Sequence, residues 1–163
     1  TAHKKDFFAA FTRRFGDDCV DIADDFSSAM MFAEHNTQLL DTFIHFAEDG
    51  DRKPTITLEF SIVSGDDLPV TEIAYSMHVI NYAATRKQGI PNFFLSLRPS
   101  VKGEDGSSSL PLAVVMTVSK YVAGLKERDL VALFESRIQQ AFEVKKAMLT
   151  LIESANEASE GQD

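Results

Sequence analysis

Asp17, Asp18 and Asp21 stand at positions i, i+1 and i+4, and Asp24 and Asp25 follow directly after them. On a helix, carboxylates at the first and last of those spacings lie over one turn. Clustered carboxylates suit Mg2+, a hard cation that takes oxygen ligands and keeps several waters. The chemistry in view is divalent-metal-dependent phosphohydrolysis with the Asp17 to Asp25 carboxylates holding the ion. A second constellation is Asp41 with His45, again at i and i+4, with Glu34 and His35 about two turns earlier on a helical reading. An Asp–His pair ligates zinc or iron only when a third ligand arrives, and His78 is the only other internal histidine. Neither HExxH nor HxH occurs, so Asp41 and His45 read as a surface pair.

Asp17-Asp18-Cys19-Val20-Asp21 matches the pattern DDxxD. In this it resembles the isoprenyl-diphosphate synthases, in which such a motif holds magnesium and a diphosphate. The resemblance covers five residues. The chain is much shorter than such an all-helical enzyme, and no second acidic motif follows. The parts for nucleophilic catalysis lack any arrangement: there is no GxSxG, and Cys19 has no local signature. There is no GxGxxG or GxxxxGK[ST] either. Gly103-Glu104-Asp105-Gly106 is glycine-spaced but acidic, which repels a phosphate rather than cradling it. No catalytic residue, resident metal or cofactor is therefore assigned.

Charge carries more information. Residues 17–72 hold fourteen Asp and Glu against only Arg52 and Lys53, a local net charge of −12 within a chain whose total is −9. The remainder is slightly basic, so the field is one-sided. It repels phosphate and attracts basic partners. The basic pairs Lys4-Lys5, Arg13-Arg14, Arg86-Lys87 and Lys145-Lys146 are scattered. Direct nucleic-acid binding is not expected, because phosphate neutralisation supplies most non-specific affinity. A carboxylate surface that imitates a phosphate backbone, and so inhibits a nucleic-acid-binding protein, is a further alternative. The preferred expectation is a non-catalytic interaction protein of adaptor, chaperone or inhibitor type. Its partner-binding residues would be Asp17, Asp18, Asp21, Asp24 and Asp25, presented to a basic protein surface.

The chain has 163 residues, 44% of them hydrophobic, and the aromatic set is thirteen Phe, three Tyr and no Trp. That is enough to build a core without a disulfide or metal. Cys19 is the single cysteine, which excludes an internal disulfide and fits a reducing compartment. Leu110 to Met116, the longest apolar stretch, is too short to cross a bilayer. Phe7 to Phe11 is broken at once by Thr12-Arg13-Arg14, so no signal peptide is expected. A cytoplasmic location follows as an expectation.

Phe7, Phe8, Phe11 and Phe15 predict a short amphipathic helix over 6–15 ending at Gly16. Ile22, Phe26, Met30, Ala33, Leu40, Ile44 and Ala47 recur at helical spacing and predict a long helix over 22–47, with Asp17, Asp18 and Asp21 at its entrance. Alternation predicts strands over 55–64, 93–98 and 110–122. Residues 70–83 fit either period, and their Val, Ile, Tyr and Thr favour a strand. Turns are expected at 65–69 and 86–92, and a loop at 99–109. Leu130, Phe134, Ile138, Ala141, Met148 and Ile152 predict a second long helix over 126–155.

The expected class is α+β, with two long helices packed on a three- to four-stranded antiparallel meander sheet. It forms one domain over 1–154, followed by a flexible acidic tail over 155–163. This layout resembles that of class I type III secretion chaperones, small acidic α+β dimers with a helix at each end of a strand-rich middle. The long first helix and the tail depart from that family. Val114 and Val115 make the last strand apolar on both faces, and the stripe from Phe7 to Phe15 is more apolar than a free helix needs. A homodimer, or a standing partner covering one of these surfaces, is expected.

Overall fold

The computed structural model describes residues 4–47, 54–65, 69–88, 93–99, 112–122 and 124–160. The element order is α1 (Lys4–Phe15), β1 (Val20–Ile22), β2 (Ser28–Met31), β3 (Thr42–Ala47), β4 (Thr55–Gly65), α2 (Val70–Gln88), β5 (Phe94–Pro99), β6 (Leu112–Tyr121) and α3 (Glu127–Glu160). The class is α+β. The six strands form one antiparallel sheet in the order β1-β2-β3-β4-β6-β5, which is more strands than expected and a meander only as far as β4.

Two expected elements are corrected. Residues 22–47 are not a helix but contribute β1, β2 and β3. Apolar residues are dense enough there to satisfy both periods, and burial follows the period of two. Ala29 and Met31 on β2, and Thr42, Ile44 and Phe46 on β3, are buried, while their neighbours turn outward. Short polar side chains decide between the periods by bonding backbone groups that a helix would need. Asp25 Oδ1 accepts from Ser27 N at 3.0 Å, Asn36 Oδ1 from Gln38 N at 3.0 Å, and Asp41 Oδ1 from Ala33 N at 2.7 Å. Residues 70–83 are not a strand but lie within α2. The Pro69 carbonyl accepts from Ile73 N at 2.9 Å, so the helix starts directly after the proline. Ile73 and Ser76 are buried, with Met77, Ile80 and Ala84 half-buried on the same side. Helix α3 extends to Glu160, through residues expected to begin a flexible tail. The other connections expected near 65–69, 86–92 and 99–109 lie largely outside the described residues.

The chain divides into two compact units, Thr1–Phe60 with Thr117–Gln140, and Ser61–Met116 with Ala141–Asp163. The first unit is organised by phenylalanine. Phe7, Phe8 and Phe11 of α1, Phe60 of β4 and Phe134 of α3 are each fully buried. Phe134 meets Phe11 at 5.1 Å and Phe15 at 5.3 Å, both edge-on, and Phe60 at 5.8 Å. Burying one such ring stabilises by roughly 1.5–3 kcal/mol, and an edge-on pair adds about 0.5–1.5 kcal/mol. At the rim of α1, Arg14 Nε lies 2.8 Å from Glu135 Oε1 and Arg13 Nη2 3.2 Å from Glu127 Oε2. Both pairs are solvent-exposed, so each is worth about 1 kcal/mol at most and sets orientation more than stability.

The second unit has a different device. The Asn81 side chain of α2 takes Leu95 of β5 from both sides of its peptide. Asn81 Oδ1 accepts from Leu95 N at 2.9 Å, and Asn81 Nδ2 donates to Leu95 O at 3.3 Å. Ile73 on α2 is fully buried and Leu95 nearly so.

Two measurements test this account. Phe134→Ala should lower unfolding free energy by about 3–5 kcal/mol, seen as a lower urea midpoint, because no small side chain replaces three ring contacts. Asn81→Ala should leave the fold intact while amide exchange at Leu95 accelerates relative to its neighbours.

Candidate interaction surface

Helix α1 ends where Gly16 N donates to the Thr12 carbonyl at 2.8 Å. Gly16 has φ of 96°, a region glycine alone occupies readily. The chain then makes a 3-10 turn, Asp17–Cys19, which buries Cys19 and leaves Asp17 and Asp18 exposed. Strand β1 pairs with β2 so that Val20 faces Met31, Asp21 faces Met30 and Ile22 faces Ala29. Alternation puts Asp21 on the opposite face from Val20 and Ile22, and it is exposed.

The hairpin closes through Ala23 N to Ser28 O at 3.0 Å and Phe26 N to Ala23 O at 2.9 Å. Asp24 and Asp25 occupy the middle of that turn and are exposed. Phe26 takes φ of 56°, a left-handed conformation that costs an ordinary residue roughly 1–2 kcal/mol. Lys5 Nζ sits 5.8 Å from the centre of the Phe26 ring. Asp25 Oδ1 also accepts from Ser27 Oγ at 2.6 Å. The Ser27 side-chain bond, then its backbone bond, holds the Asp25 carboxyl below the ordinary range.

All five nominated carboxylates thus lie on one short run of chain: two on a turn, one on a strand and two on a hairpin tip. They do not share a helical face, so the geometry assumed for DDxxD is absent. Among the described residues, no three His, Cys, Asp or Glu side chains gather in a way that holds a metal ion. The Asp41–His45 pairing also dissolves. Four residues of extended chain span about 13 Å, Asp41 bonds Ala33 N, and His45 is exposed on β3. His35 Nε2 lies 3.5 Å from Glu34 Oε1. His78 stacks on Tyr82 within α2.

Most of the two surfaces that suggest a homodimer is interior, while Phe15 is half-buried. Phe7, Phe8, Phe11 and Val114 are 0% exposed, and Val115 is 9% exposed. The helical period expected for residues 22–47 conceals a second sheet face in the first unit, which exists only once its strands pair. Since Ile44, Phe46, Leu58 and Phe60 point into the core, the intervening residues share the other face. The register sets Asp21 opposite Met30, Met30 opposite Phe43, and Phe43 opposite Glu59. The next row runs Ser28, His45 and Thr57, and Thr57 Oγ1 meets Ser119 Oγ at 3.0 Å. Asp21, His45 and Ser119 are exposed, and Met30 and Phe43 are half-buried.

No protein-family model matches the chain. No curated protein matches it in sequence. Among solved structures it is similar to YbjN of E. coli, described there as a candidate transcription regulator. The identity is 16%, the match covers 97% of this chain and 94% of that one, and the TM-score is 0.48. Among the described residues, no helix is long and apolar enough to cross a membrane.

Linkage gives a test of the hairpin. A carboxyl held below its ordinary range contributes stability above the unfolded-state pKa and loses it as pH falls through the folded value. Ser27→Ala should therefore move the Asp25 titration midpoint upward, toward an ordinary carboxylate, as followed by side-chain carboxyl NMR.

Proposed function

We propose that this protein is a non-catalytic interaction protein that presents the carboxylates Asp17, Asp18, Asp21, Asp24 and Asp25 to a basic surface of a protein partner. The observation that carries this reading is their common exposure. None of the five forms an ion pair among the described residues, although Lys5 and Lys4 lie on the neighbouring helix. Lys4 acts on the Asp25 carboxyl through its charge, and the remaining excess of negative charge on one edge steers oppositely charged molecules and accelerates encounter by roughly 10- to 1000-fold. The carboxylates are solvated, so they cost the fold little and remain available.

Steering has a kinetic signature. Exposed charges are screened over about 8 Å at physiological ionic strength, so association should slow as salt rises. Exchanging Asp17, Asp18 and Asp21 together for Asn should lower the on-rate of a partner captured from native lysate by about tenfold and leave dissociation and the urea midpoint nearly unchanged. An unchanged on-rate, or divalent-ion-dependent phosphohydrolase turnover abolished by the same exchange, would refute the proposal.

A further inference from the structure

Charge brings a partner close but does not hold it. The first unit offers a surface for that second task directly beside the hairpin. Its central row begins with a carboxylate, Asp21, continues into a thioether and a ring, Met30 and Phe43, and ends at a second carboxylate, Glu59. His45 lies beside Phe43 with its ring nearly parallel, 6.4 Å away and inclined 10°, so the apolar strip has a flat polar border. Met30 and Phe43 retain part of their surface, and His45 and Asp21 are open to solvent.

We propose that this sheet face is the landing surface for a basic amphipathic segment of the partner. Its apolar side chains would cover Met30 and Phe43, and its Lys or Arg side chains would lie toward Asp21 and the Asp24-Asp25 tip. The inference rests on the acidic-hairpin reading and adds the chemistry of the segment bound. Charge selects this occupant over two others. Across a two-fold axis, a second copy would bring the same Asp21 rows together, and like charges in contact oppose docking. A nucleic acid would meet carboxylates at the near end of the strip, where its phosphates are repelled. A thioether beside a ring suits apolar side chains of varied shape, because the unbranched Met side chain adapts to what it covers.

The two parts of the surface separate kinetically. Hairpin charge acts on association and fades with salt. Apolar cover on Met30 and Phe43 acts on dissociation and persists in salt, because it is not electrostatic. The probe is an 18-residue Lys/Leu amphipathic peptide, with a Lys/Ser peptide of equal charge and a Glu/Leu peptide as comparisons. Binding to the full chain is followed by surface-based kinetics and by the methyl resonance of Met30. The Lys/Leu peptide should bind and shift the Met30 methyl, the Lys/Ser peptide should dissociate about tenfold faster, and the Glu/Leu peptide should not bind. Met30→Ser with Phe43→Ser should raise the dissociation rate of the Lys/Leu peptide about tenfold and leave its salt-dependent association unchanged. His45→Arg, at an exposed position, keeps the test independent of folding and should weaken the same peptide severalfold. Equal dissociation of the Lys/Leu and Lys/Ser peptides, an unmoved Met30 methyl, or indifference to His45→Arg would each overturn the landing surface. In those cases the steering reading stands as long as association still falls with salt. Salt-independent association would instead remove the steering reading.

Discussion

Phe134 is the residue on which the first unit turns. It sits fully buried on α3 and touches rings from α1 and from β4. A helix, a second helix and a strand are thereby referred to a single side chain. Phenylalanine suits the position because it brings area without a polar atom that would need a buried partner. The thirteen Phe and absent Trp fit this need. Where α1 ends, the chain leaves at Gly16 and enters the acidic turn, so the aromatic cluster also decides where the carboxylates stand.

Those carboxylates are tolerated because they remain in water. Two like charges 4 Å apart repel by about 1 kcal/mol in bulk water, against far more in a dry interior. Strand β1 has only three residues and adds little cohesion of its own. A hairpin this small is marginal in isolation. Its order depends on the pairing of β2 with β3 and on local bonds such as those from Ser27 to Asp25.

The sequence was legible where one period excluded the other. Residues 55–64 and 110–122 alternate or are mostly apolar, and 126–155 repeats as a helix over many turns; the last turn of α3, as far as Glu160, is small and acidic and does not continue that stripe. Residues 22–47 carry both periods at once, because Phe26, Met30 and Ile44 serve a helical stripe as well as a strand pattern. The deciding information was in Asp25, Asn36 and Asp41, whose oxygens bond nearby backbone. In 70–83 the Val, Ile, Tyr and Thr residues favour a strand, yet the chain turns helical directly after Pro69 and buries Ile73 and Ser76 on one side. The acidic character of the candidate surface was readable from composition alone. Its shape was not, because the register of Asp21, Met30 and Phe43 exists only once three strands pair.

The bond between Asn81 and Leu95 has one more consequence. Among the described strands β5 is the outer one beyond β6, and an outer strand is where another chain could add by backbone pairing. A primary amide presents one donor and one acceptor, the same pair a neighbouring peptide group would present. At Leu95 the template is therefore already read by a side chain that cannot pass the pattern on. Strand β1 limits the opposite end by being short and negatively charged. Among the described residues, a further chain would thus find the backbone at Leu95 already occupied on one outer strand and a short acidic strand on the other.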